Sequence, residues 1–145
     1  NMKSRPFSFP KSEKLVSHKL IDRLFSGGGS KSMSAYPLRL VYLILDADDE
    51  ALQVNGLTGK KSDAQILISV PKRCFKHAVD RNRVKRQVRE AYRKHRNLYD
   101  IPEGKSLALA FIWLDRKHHS SEEVELKVIN LLQRMHEKSL KNSAQ

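Results

Sequence analysis

Residues 78–93 read AVDRNRVKRQVREAYR, and the run ISVPKR at residues 68–73 stands four positions upstream. Val84, Val88 and Ala91 recur at helical spacing, which predicts a helix from about Asp80 to His95 with Asp80 or Asn82 as its capping side chain. At about 100° per residue, Asn82, Arg86, Arg89, Arg93 and Arg96 share one side with Lys85 beside them, and Val84, Val88, Ala91 and His95 fall opposite. One side seeks a core and the other is left for a partner. Upstream, Ile66 to Val70 is a short apolar strand that Pro71 ends. A strand, a basic turn and an amphipathic helix therefore follow in succession, and the rest of the chain must supply the sheet that receives them.

The charge is concentrated in the same place. From Lys72 to Arg96 there are eleven Lys or Arg and two acids, Asp80 and Glu90, so this segment carries most of the formal net charge of +12. A polyphosphate partner calls for such a cluster, because each phosphate neutralised releases condensed counterions and several cations must reach one backbone. A solvated helix face laced with ion pairs is the alternative for a charge run, but here the acids to pair with are scarce. A membrane-surface helix would need an apolar face left free for lipid.

Moving outward, Ser17 caps a first helix carrying Leu20, Ile21, Leu24 and Phe25, and Gly27, Gly28 and Gly29 stop it. Lys31 to Ala35 and Leu38 to Leu45 read as strands divided by Pro37, with Leu38, Leu40 and Tyr42 on one side of the second and Arg39, Val41 and Leu43 on the other. Residues 46–64 form a long connection with a short strand at Ala51 to Val54. After the basic helix, Asp100 to Gly104 is a turn and Leu107 to Leu114 a buried strand. Ser120 with Glu123 then opens a last helix that buries Val124, Val128, Leu131, Leu132 and Met135, and the tail from Lys138 frays. The order αβββαβα, without internal repeat, predicts one α+β domain: a four-stranded sheet covered by helices on one side, ordered from about residue 6 to 138 and with flexible termini.

Other chemistries find little support. The longest apolar stretch, Leu107 to Leu114, is far short of the roughly 20 residues that span a bilayer. Residues 1–9 lack a signal core, and the single Cys74 has no partner for an internal disulfide, so a cytoplasmic location is expected. In residues 56–62, GLTGKKS, the two glycines are too close together for a phosphate-binding P-loop. His118 and His119 are adjacent and diverge, which makes no zinc set; Asp48, Asp49 and Glu50 read as a solvated loop ahead of a two-metal nuclease site; Cys74 reads as a packed thiol. No acid, base or nucleophile constellation emerges, so no catalytic residue and no metal ligand is assigned.

The run ISVPKR followed by AVDRNRVKRQVREAYR resembles the bacterial ribonuclease P protein family, whose hallmark is a helix of the form RNRxKRxxR after a strand ending in a basic pair. Arg81, Asn82, Arg83, Lys85, Arg86 and Arg89 fill the hallmark positions, and Lys72 and Arg73 fill the basic pair. The lead-in rich in Lys and Ser, the LFSGG of residues 24–28 and the order of the later elements agree over about residues 6–138. Two features depart from the family: the long 46–64 connection in place of a tight hairpin, and Ile21 where an aromatic residue is frequent.

The resemblance implies a ribosomal-protein-like α+β sandwich with a left-handed strand–helix–strand crossover. It also implies the protein subunit of an endoribonuclease that removes the 5′ leader of precursor tRNA, in which the RNA subunit hydrolyses the bond with bound Mg2+ and the protein alone holds no cofactor. The partners are then ribonuclease P RNA and precursor tRNA, with no membrane and no protein partner implied. Lys72, Arg73, Arg81, Asn82, Arg83, Lys85, Arg86, Arg89 and Arg93 become the RNA-binding set, with Asn82 either touching RNA, directly or through a hydrated metal ion, or capping the helix. A second surface, a cleft between the first helix and the sheet, would hold the single-stranded leader, with Phe25, Tyr42 and Ile21 as its candidates and Phe7, Phe9 and Tyr36 as outsiders. A structural RNA-binding protein of ribosomal type, with no role in cleavage, is the alternative.

Overall fold

The computed structural model describes residues 14–15, 17–26, 29–49 and 64–141. The elements are α1 (His18–Phe25), β1 (Lys31–Ala35), β2 (Leu38–Asp46), β3 (Ala64–Ser69), α2 (Ala78–His95), β4 (Lys105–Trp113) and α3 (Ser121–Met135), in the expected order. A 3-10 turn at Arg96–Leu98 follows α2, and a π-helical turn at His136–Leu140 follows α3. Phe7, Phe9, Glu50, the strand expected at Ala51 to Val54 and the glycine-containing run at 56–62 lie outside the described residues.

Local chemistry accounts for two of the three helix starts. The Ser17 hydroxyl accepts from the Leu20 amide at 3.3 Å, and the Ser120 hydroxyl accepts from the Glu123 amide at 3.1 Å, each satisfying a donor that a first helical turn leaves open. The start of α2 differs from expectation. It begins at Ala78 behind His77, whose side chain makes no capping bond, and neither Asp80 nor Asn82 caps it. Asp80 is already inside the first turn with its carboxylate on His118 (3.0 Å), and Arg81 fastens the entering chain by donating from Nη1 to the carbonyls of Phe75 and Lys76, each at 2.9 Å.

The four strands lie in the order β1-β2-β4-β3. β2 runs antiparallel to β1 and β4, while β3 is parallel to β4, so α2 is the crossover between two adjacent parallel strands. Such a crossover must pack on the sheet, and it does so through Val84, Val88, Ala91 and Tyr92, all buried. These side chains join Leu38, Leu40, Tyr42, Leu107, Leu109, Phe111 and Trp113 from the strands and Val124, Val128, Leu131, Leu132 and Met135 from α3 in the larger core. Each large apolar side chain buried there contributes about 1.5–3 kcal/mol.

The sheet is covered on both faces rather than one. On the reverse face Leu20 and Leu24 of α1 pack against Val41, Leu43, Leu45, Ala108 and Ala110. Leu20 and Leu24 recur at helical spacing, so a helix this short has only one apolar stripe and must find a sheet face; the alanines of β4 leave it room to approach.

The chain beyond Lys138 is not frayed as far as Lys141. The π turn carries Leu140 into the larger core at 3% exposure and brings the Ser139 hydroxyl to 2.6 Å from the Tyr42 phenol. Among the described residues no helix is long and apolar enough to cross a membrane.

Candidate nucleic-acid interface

The apolar stripe of α2 fixes which of its side chains face out. With Val84 and Val88 fully buried, Asn82, Arg83, Arg86 and Arg93 are exposed, while Lys85 and Arg89 sit half-buried at the margins. Lys72 and Arg73 stand exposed in the turn after β3. That turn is held by the Cys74 amide donating to the Pro71 carbonyl at 3.0 Å and by the buried Cys74 thiol, which reaches the Trp113 carbonyl at 3.6 Å. Cys74 thus packs and anchors, and the basic pair is presented on a tied-down turn next to α2.

Arg81 and Arg93 of the sequence-derived set are engaged inside the protein. Arg81 precedes Asn82 by one residue, which rotates it about 100° from the outward side, and its guanidinium is spent on the Phe75 and Lys76 carbonyls. Its role here is to shape the entry to α2. Arg93 does face outward but is clasped by Glu90, with Nε to Oε1 at 3.1 Å and Nη2 to Oε2 at 2.7 Å. This pair holds the Glu90 carboxyl below the usual glutamate range, chiefly through the Arg93 hydrogen bonds.

Arg86 is exposed on the outward side of α2 and Arg89 is half-buried at its margin. Partial burial, and after it the charge of neighbouring Arg86, draws Arg89 below the ordinary arginine range. The charge of Arg86 thus bears on Arg89, and the planar donor fork of Arg suits phosphate oxygens.

The start of α2 is tied to the loop after β4. His118 bonds Asp80 and stacks on Phe75 with ring centroids 4.4 Å apart, while His119 lies between Asp115 (2.8 Å) and Glu123 (3.1 Å). The two histidines diverge to separate carboxylates. Among the described residues no group of three or more His, Cys, Asp or Glu is placed to hold a metal ion. Asp49 of the acidic loop pairs with Arg23 of α1 at 3.1 Å.

The second surface is the groove between α1 and the reverse face of the sheet. Phe25 ends α1 with 48% of its surface exposed, and Ile21 is half-buried against the α1-side core. Tyr42 does not belong there. Strand alternation turns it to the opposite face, where it is 1% exposed and bonded to Ser139, so it cannot meet a ligand in the groove. The side chains that share the groove face with α1 are Arg39, exposed on β2, and Leu67 and Ile112, half-buried on β3 and β4. The alternation of Arg39, Val41 and Leu43 against Leu38, Leu40 and Tyr42 separates the two faces, and aromatic character does not say which of them α1 covers.

Comparison with known proteins agrees with this geometry. The family Ribonuclease P matches residues 9–136. A ribonuclease P protein component of Porphyromonas gingivalis is 39% identical over 92 residues, which are 63% of this chain and 58% of that protein. One from Chlorobaculum tepidum is 30% identical over 119 residues, covering 77% of this chain and 71% of its own length. In structure, the ribonuclease P protein of Thermotoga maritima superposes with a TM-score of 0.58 at 22% identity, over 84% of this chain and 96% of that one. The chain spans a little over half the length of the Porphyromonas relative, and the family match covers most of its own length, α2 and both surfaces included. The chain belongs to the ribonuclease P protein family.

Proposed function

We propose that this chain is the protein subunit of ribonuclease P and promotes the endonucleolytic removal of the 5′ leader from precursor tRNA. The outward face of α2, with Asn82, Arg83, Arg86 and Arg89 and the adjoining Lys72 and Arg73, docks on the phosphates of the catalytic RNA. The groove bordered by Ile21, Phe25 and Arg39 receives the unpaired leader. Hydrolysis and its Mg2+ belong to the RNA subunit, and the protein positions: Asp80, Asp115 and Asp49 are already bonded to His118, His119 and Arg23. Cytoplasmic residence follows from the partner and agrees with a lone, buried thiol.

The observation that carries this reading is the division of α2, whose apolar side is fully buried in the core while its cationic side is presented outward. The test mixes the purified protein with the catalytic RNA of the same cell and precursor tRNA at low Mg2+. Stimulated cleavage, with no cleavage by the protein alone, is the expected result. An unchanged rate would favour the alternative of a ribosomal-type RNA-binding protein and overturn the proposal.

A further inference from the structure

The two edges of the sheet are finished differently. On the β3 side the lead-in chain closes the edge: Lys14 bridges Ile66 in parallel, and the Leu15 amide donates to the Ile66 carbonyl at 3.1 Å. On the other side β1 is outermost, and among the described residues no strand pairs with its free edge. Arg134 of α3 reaches that edge, donating from Nη1 to the Ser34 carbonyl and to Asn130 Oδ1, each at 2.9 Å. The Ser34 carbonyl therefore points away from β2. Alternate residues of an antiparallel strand turn their amide and carbonyl the same way, so Ser32 offers both groups outward and Ser34 its amide. Both serines are exposed.

Beside this edge lies a depression of about 350 Å³ with mostly apolar walls, lined by Met33, Gln133, Arg134, Glu137 and Lys138. Met33 is half-buried and leans on the larger core, which puts the depression on the α3 side of β1. A strand laid about 4.8 Å outside β1 sets the side chain opposite Met33 over it. The surrounding charge has one sign in excess. Lys31, Arg134 and Lys138 are exposed, while Glu137, the acid among them, is already paired with Lys141 at 3.4 Å. Both Arg134 bonds use Nη1, which leaves Nε and Nη2 for a carboxylate.

We infer that the free edge of β1 is a strand-addition site for an extended peptide segment of a protein partner, with an apolar residue seated beside Met33 and acidic residues two positions to either side, facing Lys31 and Arg134. The outward backbone groups of Ser32 and Ser34 supply the pairing, and the depression and the cations supply the choice of sequence. A second copy of this chain is the poorer occupant, because edge on edge it sets Lys31, Arg134 and Lys138 against their own counterparts. Nucleic acid would engage the cations but neither the backbone edge nor the apolar depression. β2 and β4 stand between β1 and β3, and α2 crosses from β3 to β4, so the inference does not rest on the proposed docking of RNA.

The test titrates the isotope-labelled whole chain with the blocked heptapeptide TETLTET and follows the backbone amide resonances. Saturable shifts centred on residues 31–35 and 133–138 are expected below about 1 mM peptide. N-methylation of the peptide amides that face β1 removes the pairing donors and should weaken binding by about 10-fold or more. Arg134→Glu should weaken TETLTET to a similar degree, about 10-fold, and TKTLTKT should not bind the parent. If residues 31–35 do not respond at several millimolar TETLTET, or if the N-methylated peptide binds equally well, the inference is overturned. If oligouridylate shifts the same resonances and displaces the peptide, the edge belongs to nucleic acid and the inference is refuted. If the chain alone dimerises with slowed exchange of the Ser32 and Ser34 amides, a second copy is the occupant and the inference is likewise refuted.

Discussion

Glu90 grips Arg93 through two parallel hydrogen bonds, Nε to Oε1 at 3.1 Å and Nη2 to Oε2 at 2.7 Å, and so withdraws one cation from the outward side of α2. Lys94 approaches the same carboxylate at 3.9 Å. Phosphate and carboxylate compete for the same donor fork, so RNA must displace Glu90 to use Arg93. Glu90→Gln is expected to tighten RNA binding and to steepen the dependence of log affinity on log salt concentration by about 0.7–0.9, one phosphate contact, as read from binding isotherms at several KCl concentrations. An unaltered slope would mean that Arg93 lies outside the RNA footprint.

Arg86 and Arg89 are expected to act in the other direction. Both belong to the cationic side of α2, and burial first and then the charge of Arg86 draw Arg89 below the ordinary arginine range, so a phosphate bound at this pair meets both charges. Replacing both with Ala should flatten the salt dependence by about 1.4–1.8 in log–log slope, while the fold survives because Val84 and Val88 still fill the core. Arg81→Ala should behave differently. It frees the carbonyls of Phe75 and Lys76, and the expected result is a lowered melting temperature with a salt slope close to that of the parent.

The contrast between Arg81 and Arg86 also marks how far the sequence could be read. Periodicity placed Val84, Val88 and Ala91 on the inner side of α2 and Arg86 on the outer, because burial of an apolar stripe is a one-dimensional signal. It could not show that Arg81 folds back on carbonyls five and six residues upstream, since that depends on the path of the 71–77 turn. The side of the sheet taken by α1 was equally hidden: both faces of β2 are apolar, and alternation separates the two faces without saying which helix covers which. Tyr42 was misplaced for that reason, and Tyr92, at the edge of the predicted stripe, was left out of the core it joins. The capping hydroxyls of Ser17 and Ser120 were legible because a cap and its helix are contiguous in sequence.

Tyr42 supplies a test that separates core from groove. Its phenol lies 2.6 Å from the Ser139 hydroxyl and fastens β2 to the π turn, with Leu140 packed alongside. Tyr42→Phe removes one partly buried hydrogen bond at about 1 kcal/mol, which for a chain of this size lowers the melting temperature by about 3 °C. Ser139→Ala should cost a similar amount, and the double variant little more than either, because both changes delete the same bond. Affinity for leader-containing RNA should be unchanged in all three. A specific loss of leader binding in Tyr42→Phe, at unchanged melting temperature, would return Tyr42 to the groove.

Asp115 predicts an acid limb of stability. Its carboxyl is held below the ordinary aspartate range, first by the His119 hydrogen bond and then by the Arg116 amide and the Tyr36 phenol, against a smaller opposing effect of burial. A group whose pKa is lower folded than unfolded stabilises the fold above its unfolded value, about 3.9, and loses that contribution as pH falls through the folded value. Glu125, lowered chiefly by the His95 hydrogen bond, and Glu90, lowered chiefly by Arg93, act with the same sign. The melting temperature should therefore fall as pH drops from about 5 towards 2. Asp115→Asn should begin lower at pH 7 and fall less steeply over that range, because the variant has one fewer proton to take up on unfolding in acid. Circular dichroism melts at half-unit pH intervals would measure both slopes. Parallel curves for the two proteins would show that the Asp115–His119 bond contributes nothing to the fold.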